Sequence, residues 1–151
     1  MFTLLSSTQV AHNHYLLTLH TDKQSSVPGQ FINIKAGTYT DPLIRRPFSL
    51  FDHNGNTMKV IVRVVGKGTR AIVSTNPGTI DCIGPLGKGF SIVSGKKALL
   101  VGGGVGNAPL YYLAKILAKN NTQVTYIYGV RSQKDIFLLD SYQEISNKLI
   151  V

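Results

Sequence analysis

Cysteine occurs once in the 151 residues, as Cys82. A lone thiol cannot close an intrachain disulfide, complete a zinc site or hold an iron–sulfur cluster. Cys82 therefore reads as a small residue on a strand. Long apolar runs are also missing, and no segment reaches the length of a membrane-spanning helix. The opening MFTLLSSTQVAHNHY has no basic start and no long apolar stretch. It does not read as an export signal, so the expected compartment is the cytoplasm. Acidic residues are scarce, 7 against 16 lysines and arginines, giving a net charge of +9. That balance suits an anionic partner, whether nucleic acid, membrane surface or phosphorylated small molecule. The basic residues are scattered, and the aromatics do not interleave with them as stacking platforms would. A nucleic-acid surface is therefore not expected, and a few arginines committed to phosphates are.

What is present is an ordinary globular composition, enough for one substantial core or one small domain and part of another. The first ninety-odd residues read as β. The runs HYLLTLHT, GQFINIKAG, PFSLFDH, MKVIVRVV and GTIDCIGPLG are rich in β-branched and aromatic residues. Pro28-Gly29, Asn54-Gly55 and Asn76-Pro77-Gly78 separate them, and Asn54-Gly55 reads as a hairpin tip. Strands at this spacing predict a small antiparallel β-barrel. One short helix interrupts them in GTRAIVSTNPG, with Thr69 as its N-cap.

The character changes near Ser94-Gly95. KKALLV reads as a continuous apolar strand, GGGVGNAP as a glycine loop, LYYLAKILAKN as an amphipathic helix and TQVTYIYG as a second strand. That βαβ unit predicts an α/β region with a parallel sheet, from about residue 96 to 151, after a β region over 1–95. The last twenty residues read as a second crossover helix, carrying Asp135 and Asp140, and the start of a third strand. A doubly wound sheet takes more strands than this, so the second region reads as truncated.

Three stretches carry chemistry. In VGGGVGNAP, Gly102, Gly103, Gly104, Val105, Gly106, Asn107 and Pro109 follow a strand and open a helix. Freed backbone N–H groups and the helix dipole there suit a pyrophosphate, with Asn107 able to cap. It departs from G-x-G-x-x-G, and the next strand ends in Gly129-Val130-Arg131-Ser132 where the dinucleotide fingerprint expects an acid. In RRPFS, the Arg46 guanidinium suits a phosphate, Pro47 and Phe48 offer apolar surface, and Ser49 offers a hydroxyl. A proline-broken, charged edge strand is the competing reading, and Arg45 has no assigned partner. In VIVRVVGKGT, Arg63 follows Ile61 and Val62, and Gly68-Thr69 leads into the short helix. Two anion-binding helix starts suit two phosphorylated cofactors. His12, His14, His20 and His53 show no metal-ligand spacing and read as structural or surface residues.

The ordered set Arg46-Pro47-Phe48-Ser49, Gly68-Thr69, Gly84-Pro85-Leu86-Gly87 and Gly102 to Leu110 resembles the ferredoxin–NADP reductase superfamily. Within it, RRPFSL, GKGT, GPLGKGF and YGVRS…DIFLLD are most similar to the electron-transfer subunits of class 1B dihydroorotate dehydrogenase. The resemblance implies a ferredoxin-reductase-like, FAD-binding antiparallel β-barrel followed by part of a Rossmann-like NAD-binding domain. It implies Arg46 on the FAD diphosphate, Pro47 and Phe48 along the flavin and ribityl chain, and the Ser49 hydroxyl near the reactive edge of the ring. Ile61, Val62 and Arg63 would flank the cofactor, Gly68 and Thr69 would hold phosphate, and Gly102 to Pro109 would receive NAD(H).

It further implies electron transfer between NADH and FAD, and onward to a catalytic dihydroorotate dehydrogenase in pyrimidine biosynthesis, as a heterotetramer. The [2Fe–2S] cluster of such subunits sits in a cysteine-rich C-terminal segment not found in these residues. Two alternatives stay open: a stand-alone ferredoxin- or flavin-reductase-type NAD(P)H oxidoreductase, and a non-catalytic FAD- or nucleotide-binding module.

Overall fold

The computed structural model describes residues 1–23, 25–36 and 43–151. Seven strands form one antiparallel sheet: β1 (Phe2–Ala11), β2 (His14–Thr21), β3 (Phe31–Ile34), β4 (Arg46–Asn54), β5 (Thr57–Arg63), β6 (Gly78–Thr79) and β7 (Cys82–Leu86). Their spatial order is β6-β1-β2-β5-β4-β3-β7. β6 and β7 stand at opposite ends of that order, yet only Ile80 and Asp81 lie between them in the chain. Two residues cannot span a flat seven-stranded sheet, so the sheet must curl until its edges approach. The result is a half-barrel around Leu4, Leu17, Leu19, Ile32, Ile34, Leu50, Met58, Val60 and Val62. The predicted run 29–37 ends on a residue outside the described ones. β1, which none of the predicted runs includes, carries only Phe2 and Leu4 into the core.

Helix α1 (Lys67–Val73) closes one end of the half-barrel with Ile72. It is two turns long, as its sequence predicts, but its N-cap is Gly66. Thr69 lies one turn further in and reaches back. Its Oγ1 accepts from the backbone N–H groups of Val65 (3.0 Å) and Gly66 (3.2 Å).

The second sheet is parallel, in the order β10-β9-β8: β8 (Lys97–Gly103), β9 (Gln123–Gly129) and β10 (Lys148–Ile150). Helix α2 (Asn107–Lys119) connects β8 to β9, and α3 (Leu139–Ile145) connects β9 to β10. β8 buries one face only: Leu100 and Gly102 point inward, while Leu99 and Val101 are exposed. Asp135 ends a short 3-10 turn, Gln133–Asp135, ahead of α3, whereas its expected place was on the helix itself.

Helix α2 joins the two sheets. Tyr112 enters the half-barrel core, and its hydroxyl donates to the Ser26 carbonyl at 2.9 Å. Tyr111 stacks on Phe51 of β4, with ring centroids 4.3 Å apart. Lys115 Nζ donates to both carboxylate oxygens of Asp52, at 2.7 and 2.8 Å. Burying aromatic side chains of this size contributes roughly 1.5–3 kcal/mol each, so the helix is a shared core element of both sheets. Among the described residues no helix is long and apolar enough to cross a membrane. None of the His, Cys, Asp and Glu residues among them form a group of three able to hold a metal ion.

Candidate functional site

β4 changes partners halfway along its length. Arg46–Ser49 pair with β3, from Arg46 opposite Ile34 to Ser49 opposite Phe31. From Leu50 onward the strand pairs with β5, Leu50 opposite Val60 and Asn54 opposite Thr57, with an irregularity between Leu50 and Asp52. β5 does the converse. Ile61, Val62 and Arg63 pair with Leu16, Tyr15 and His14 of β2, not with β4. The sheet therefore splits open between the first half of β4 and the last residues of β5.

The split gives Pro47 its place. The Leu50 N–H donates to the Gln30 carbonyl at 3.0 Å. By antiparallel alternation the backbone groups of Arg46 and Phe48 also face β3, while those of Pro47 and Ser49 face the split. A residue without an N–H leaves no ladder bond unmade there. Ser49 presents a backbone N–H and carbonyl to the same opening.

A cleft of about 440 Å³ fills the split. Arg46, Pro47, Phe48 and Ser49 form one lip, and Ile61, Arg63 and Val65 form the other. Thr69 closes the α1 end, and Val105, Gly106, Ala108 and Pro109 close it from the start of α2. Val65 was not among the residues singled out in the sequence, and Ala108 entered only as part of the run Gly102 to Pro109. Val65 was legible, since Ile61, Arg63 and Val65 follow the period-two rule of a strand face.

The remaining sequence-selected residues fall elsewhere. Val62 is fully buried and points into the half-barrel core, because alternation turns it away from the cleft. Gly68 is buried beneath Arg46: a β-carbon at 68 would collide with the guanidinium. Arg46 also donates to the Ile44 carbonyl. Gly103 and Gly104 line a second, smaller cavity, which Arg63 shares. Gly102 is packed against Asn107, whose side chain occupies the space a β-carbon would need.

Asn107 itself is fully buried and does not cap α2; the N-cap is Gly106. Its Nδ2 donates to the carbonyls of Gly104 (2.9 Å) and Gly129 (3.2 Å), and its Oδ1 lies 3.2 Å from the Tyr126 hydroxyl. The side chain clamps the glycine loop to the end of β9, so its polar groups are committed within the protein.

Arg45 has a partner that the sequence did not reveal. Its guanidinium donates to the Asp81 carboxylate (2.8 Å) and to the Asp81 carbonyl (3.2 Å), tying the entry of β4 to the segment before β7. The doubled arginine thus divides its work. Cys82 follows Asp81, and burial pushes its thiol up to about 12, so it is a poor nucleophile.

The donor set fits a phosphorylated ligand with a flat apolar part. Neither Arg46 nor Arg63 has a carboxylate partner among the described residues. Phe48, Ile61, Val65 and Pro109 give the cleft apolar walls, and Ser49 supplies polar atoms on its β4 lip.

The curled antiparallel sheet, the parallel sheet and the cleft between them give this chain a ferredoxin reductase-like fold. Residues 100–149 match the family model described as an oxidoreductase NAD-binding domain. The structure superposes with a TM-score of 0.86 on a chain of the NADH-dependent reduced ferredoxin–NADP oxidoreductase, at 31% identity, over 99% of this chain and 55% of that one. The chain is similar to the electron transfer subunits of dihydroorotate dehydrogenase B. It is 37% identical to the subunit of Shouchella clausii (strain KSM-K16) over 96% of its length and 59% of the relative's, and 39% identical to that of Geobacillus sp. (strain WCH70) over 98% and 61%. It thus spans about three fifths of the length of these curated relatives.

Proposed function

We propose that this chain is the FAD-carrying, NAD(H)-facing part of an electron transfer subunit that serves a catalytic dihydroorotate dehydrogenase in pyrimidine biosynthesis. The observation that carries this reading is the split between β4 and β5, which opens opposite the start of α2. In this reading Arg46 binds the FAD diphosphate from above Gly68. Pro47 and Phe48 support the ring and its side chain, and Ser49 meets the ring's polar edge. Ile61 and Arg63 hold the opposite side. Thr69 acts by shaping its loop, since its hydroxyl is engaged there.

Val105, Gly106 and Pro109 bring a nicotinamide nucleotide to the open side of the same cleft. A bound flavin supplies the redox chemistry, taking up two electrons as hydride and releasing them to an acceptor. The protein's own contribution is position, charge and exclusion of water from the ring. The division into an FAD region over 1–95 and a nucleotide region from 96 belongs to this reading; the stretch 87–96, between β7 and β8, supports it. The catalytic subunit, in a heterotetramer, is the proposed partner.

The test is spectroscopic. The purified chain, supplemented with FAD and passed over a desalting column, is expected to stay yellow and to lose its 450 nm band when NADH is added without oxygen. A colourless protein that takes up no FAD overturns the reading. Co-purification with the catalytic subunit tests the partner separately.

A further inference from the structure

The irregularity in β4 falls on Phe51. Leu50 stands opposite Val60 and Asp52 opposite Lys59, so Phe51 is one residue more than β5 can pair. Without that extra residue, Asp52 would stand opposite Met58, which is buried in the half-barrel core. With it, Leu50 still points into that core, while Phe51 and Asp52 both reach outward to α2. Two consecutive residues of a regular strand cannot share a face in this way.

Helix α2 meets the two residues with matching spacing. Tyr111 and Lys115 are four residues apart, so they lie on one face of the helix. The Tyr111 ring is nearly parallel to that of Phe51, at 10° and 4.3 Å. Lys115 Nζ donates to both Asp52 carboxylate oxygens. Asp52 Oδ1 also accepts from the His53 N–H at 2.9 Å, which fixes the carboxylate on its strand. Tyr142 of α3 closes over the stack, edge-on to both rings. The side chains of Lys115 and Asp52 are 22% and 14% exposed, so solvent ions screen the pair little.

This joint lies directly behind the cleft, and none of its four residues lines it. Ser49, on the β4 lip, is two residues before Phe51, about 7 Å of strand. Pro109, which closes the cleft from α2, is two residues before Tyr111, about 3 Å of helix. The gap between Ser49 and the start of α2 is therefore set from behind, by the stack and the ion pair. In the reading given above, a hydride leaves NADH, giving NAD⁺, and passes to the flavin. That step tolerates little error in the gap, since the reacting atoms must come within about 3–3.5 Å.

We propose that Phe51, Asp52, Tyr111 and Lys115 are positioning residues for hydride transfer. They hold the start of α2, and the nucleotide it receives, at reacting distance from a flavin seated against Ser49. The extra residue in β4 is what lets one short strand serve both the flavin lip and the helix. The proposal rests on the functional reading given above and adds to it four residues that bind neither cofactor.

The experiment mixes the FAD-loaded chain rapidly with NADH in the absence of oxygen and follows loss of the flavin band over a range of NADH concentrations. Tyr111→Leu removes the stack. Its limiting rate per bound flavin is expected to fall about tenfold or more, while the half-saturating NADH concentration and the FAD affinity, read by fluorescence titration, stay at the parent's values. The long-wavelength absorbance of a nicotinamide stacked on the flavin is expected to weaken with the rate. Tyr111→Phe keeps the stack and is expected to keep the parent's rate. Asp52→Asn removes the charge from the ion pair but not its shape; it is expected to slow the same step and serves as the test if Tyr111→Leu does not fold. A merely structural joint would lower the melting temperature of these variants and leave the rate per bound flavin unchanged, and that result overturns the proposal while the functional reading stands. Equal slowing in Tyr111→Phe and Tyr111→Leu also overturns it. A parent chain that holds FAD but is not reduced by NADH overturns both.

Discussion

The Arg46 guanidinium lies across Gly68, in the space that a side chain at 68 would fill. The constraint is one of room: Gly68 is helical, and alanine there would raise helix propensity by roughly 0.5–1 kcal/mol. Gly68→Ala is therefore expected to leave the melting temperature unchanged or higher while weakening FAD binding about tenfold or more, because a displaced guanidinium loses a charge-assisted hydrogen bond worth about 1.5–3 kcal/mol. Gly66 is the control. It is extended, and a β-carbon there meets nothing within 4 Å. Equal FAD affinity in the Gly66→Ala and Gly68→Ala proteins, read by flavin fluorescence titration, would refute the placement of phosphate at Arg46.

The two adjacent arginines separate by measurement. Arg45 and Asp81 form a partly exposed pair, with side chains 29% and 55% accessible. Pairs of that kind contribute about 0–1 kcal/mol. Arg45→Ala is expected to lower urea stability by no more than this and to keep FAD, whereas Arg46→Ala is expected to lose FAD with little change in stability. The opposite pattern would assign the phosphate to Arg45.

Much of this arrangement is legible in the residues, and the exceptions have physical reasons. HYLLTLHT matches β2 residue for residue because its alternation is regular. β1 escapes notice because Ser6-Ser7-Thr8-Gln9 makes no buried stripe; its hydrogen bonds to β2 hold it there. Arg46, Phe48 and Ser49 could be selected by chemistry. Their common cleft could not, since it depends on the irregularity near Phe51 and on which strand β4 pairs with at each end. Asn107 and Thr69 have the chemistry of ligand-binding residues, yet both are spent on their own loops, a distinction visible only in their hydrogen bonds. His14 gained a neighbouring arginine only through register.

Asn107 yields a stability prediction. Truncation to alanine removes three side-chain hydrogen bonds, to the Gly104 and Gly129 carbonyls and from the Tyr126 hydroxyl, while the Asn107 backbone still reaches Gly104 and Tyr126. At about 0.5–1.5 kcal/mol for each hydrogen bond lost, Asn107→Ala is expected to cost about 2 kcal/mol in denaturant unfolding. Asn107→Asp preserves shape but replaces the donor with a second acceptor facing two carbonyls, so it is expected to be no better. An Asp variant as stable as the parent would show that the clamp does not depend on the amide N–H groups.

The same clamp borders a tyrosine cluster that sets the alkaline limit of the fold. Tyr142 packs edge to face on both Tyr128 and Tyr126, with ring centroids 4.8 and 5.1 Å away. Burial raises all three phenols above their ordinary value, Tyr128 to about 12. In the unfolded chain they titrate near about 10. Above that pH the unfolded state has given up protons that the folded state keeps, so stability falls as pH rises, by up to about 1.4 kcal/mol per pH unit for each group. For Tyr128 the loss runs from about 10 to about 12. Below about pH 10 the contribution of all three is fully present. Tyrosinate absorbance at 295 nm from these residues is therefore expected to appear together with loss of the folded circular dichroism signal. Tyr142→Phe should flatten the alkaline slope by about one proton, and because the Tyr142 hydroxyl has no partner, it should not destabilise the protein at pH 7. Gradual ionisation of the cluster with the fold intact would contradict the buried packing on which this rests.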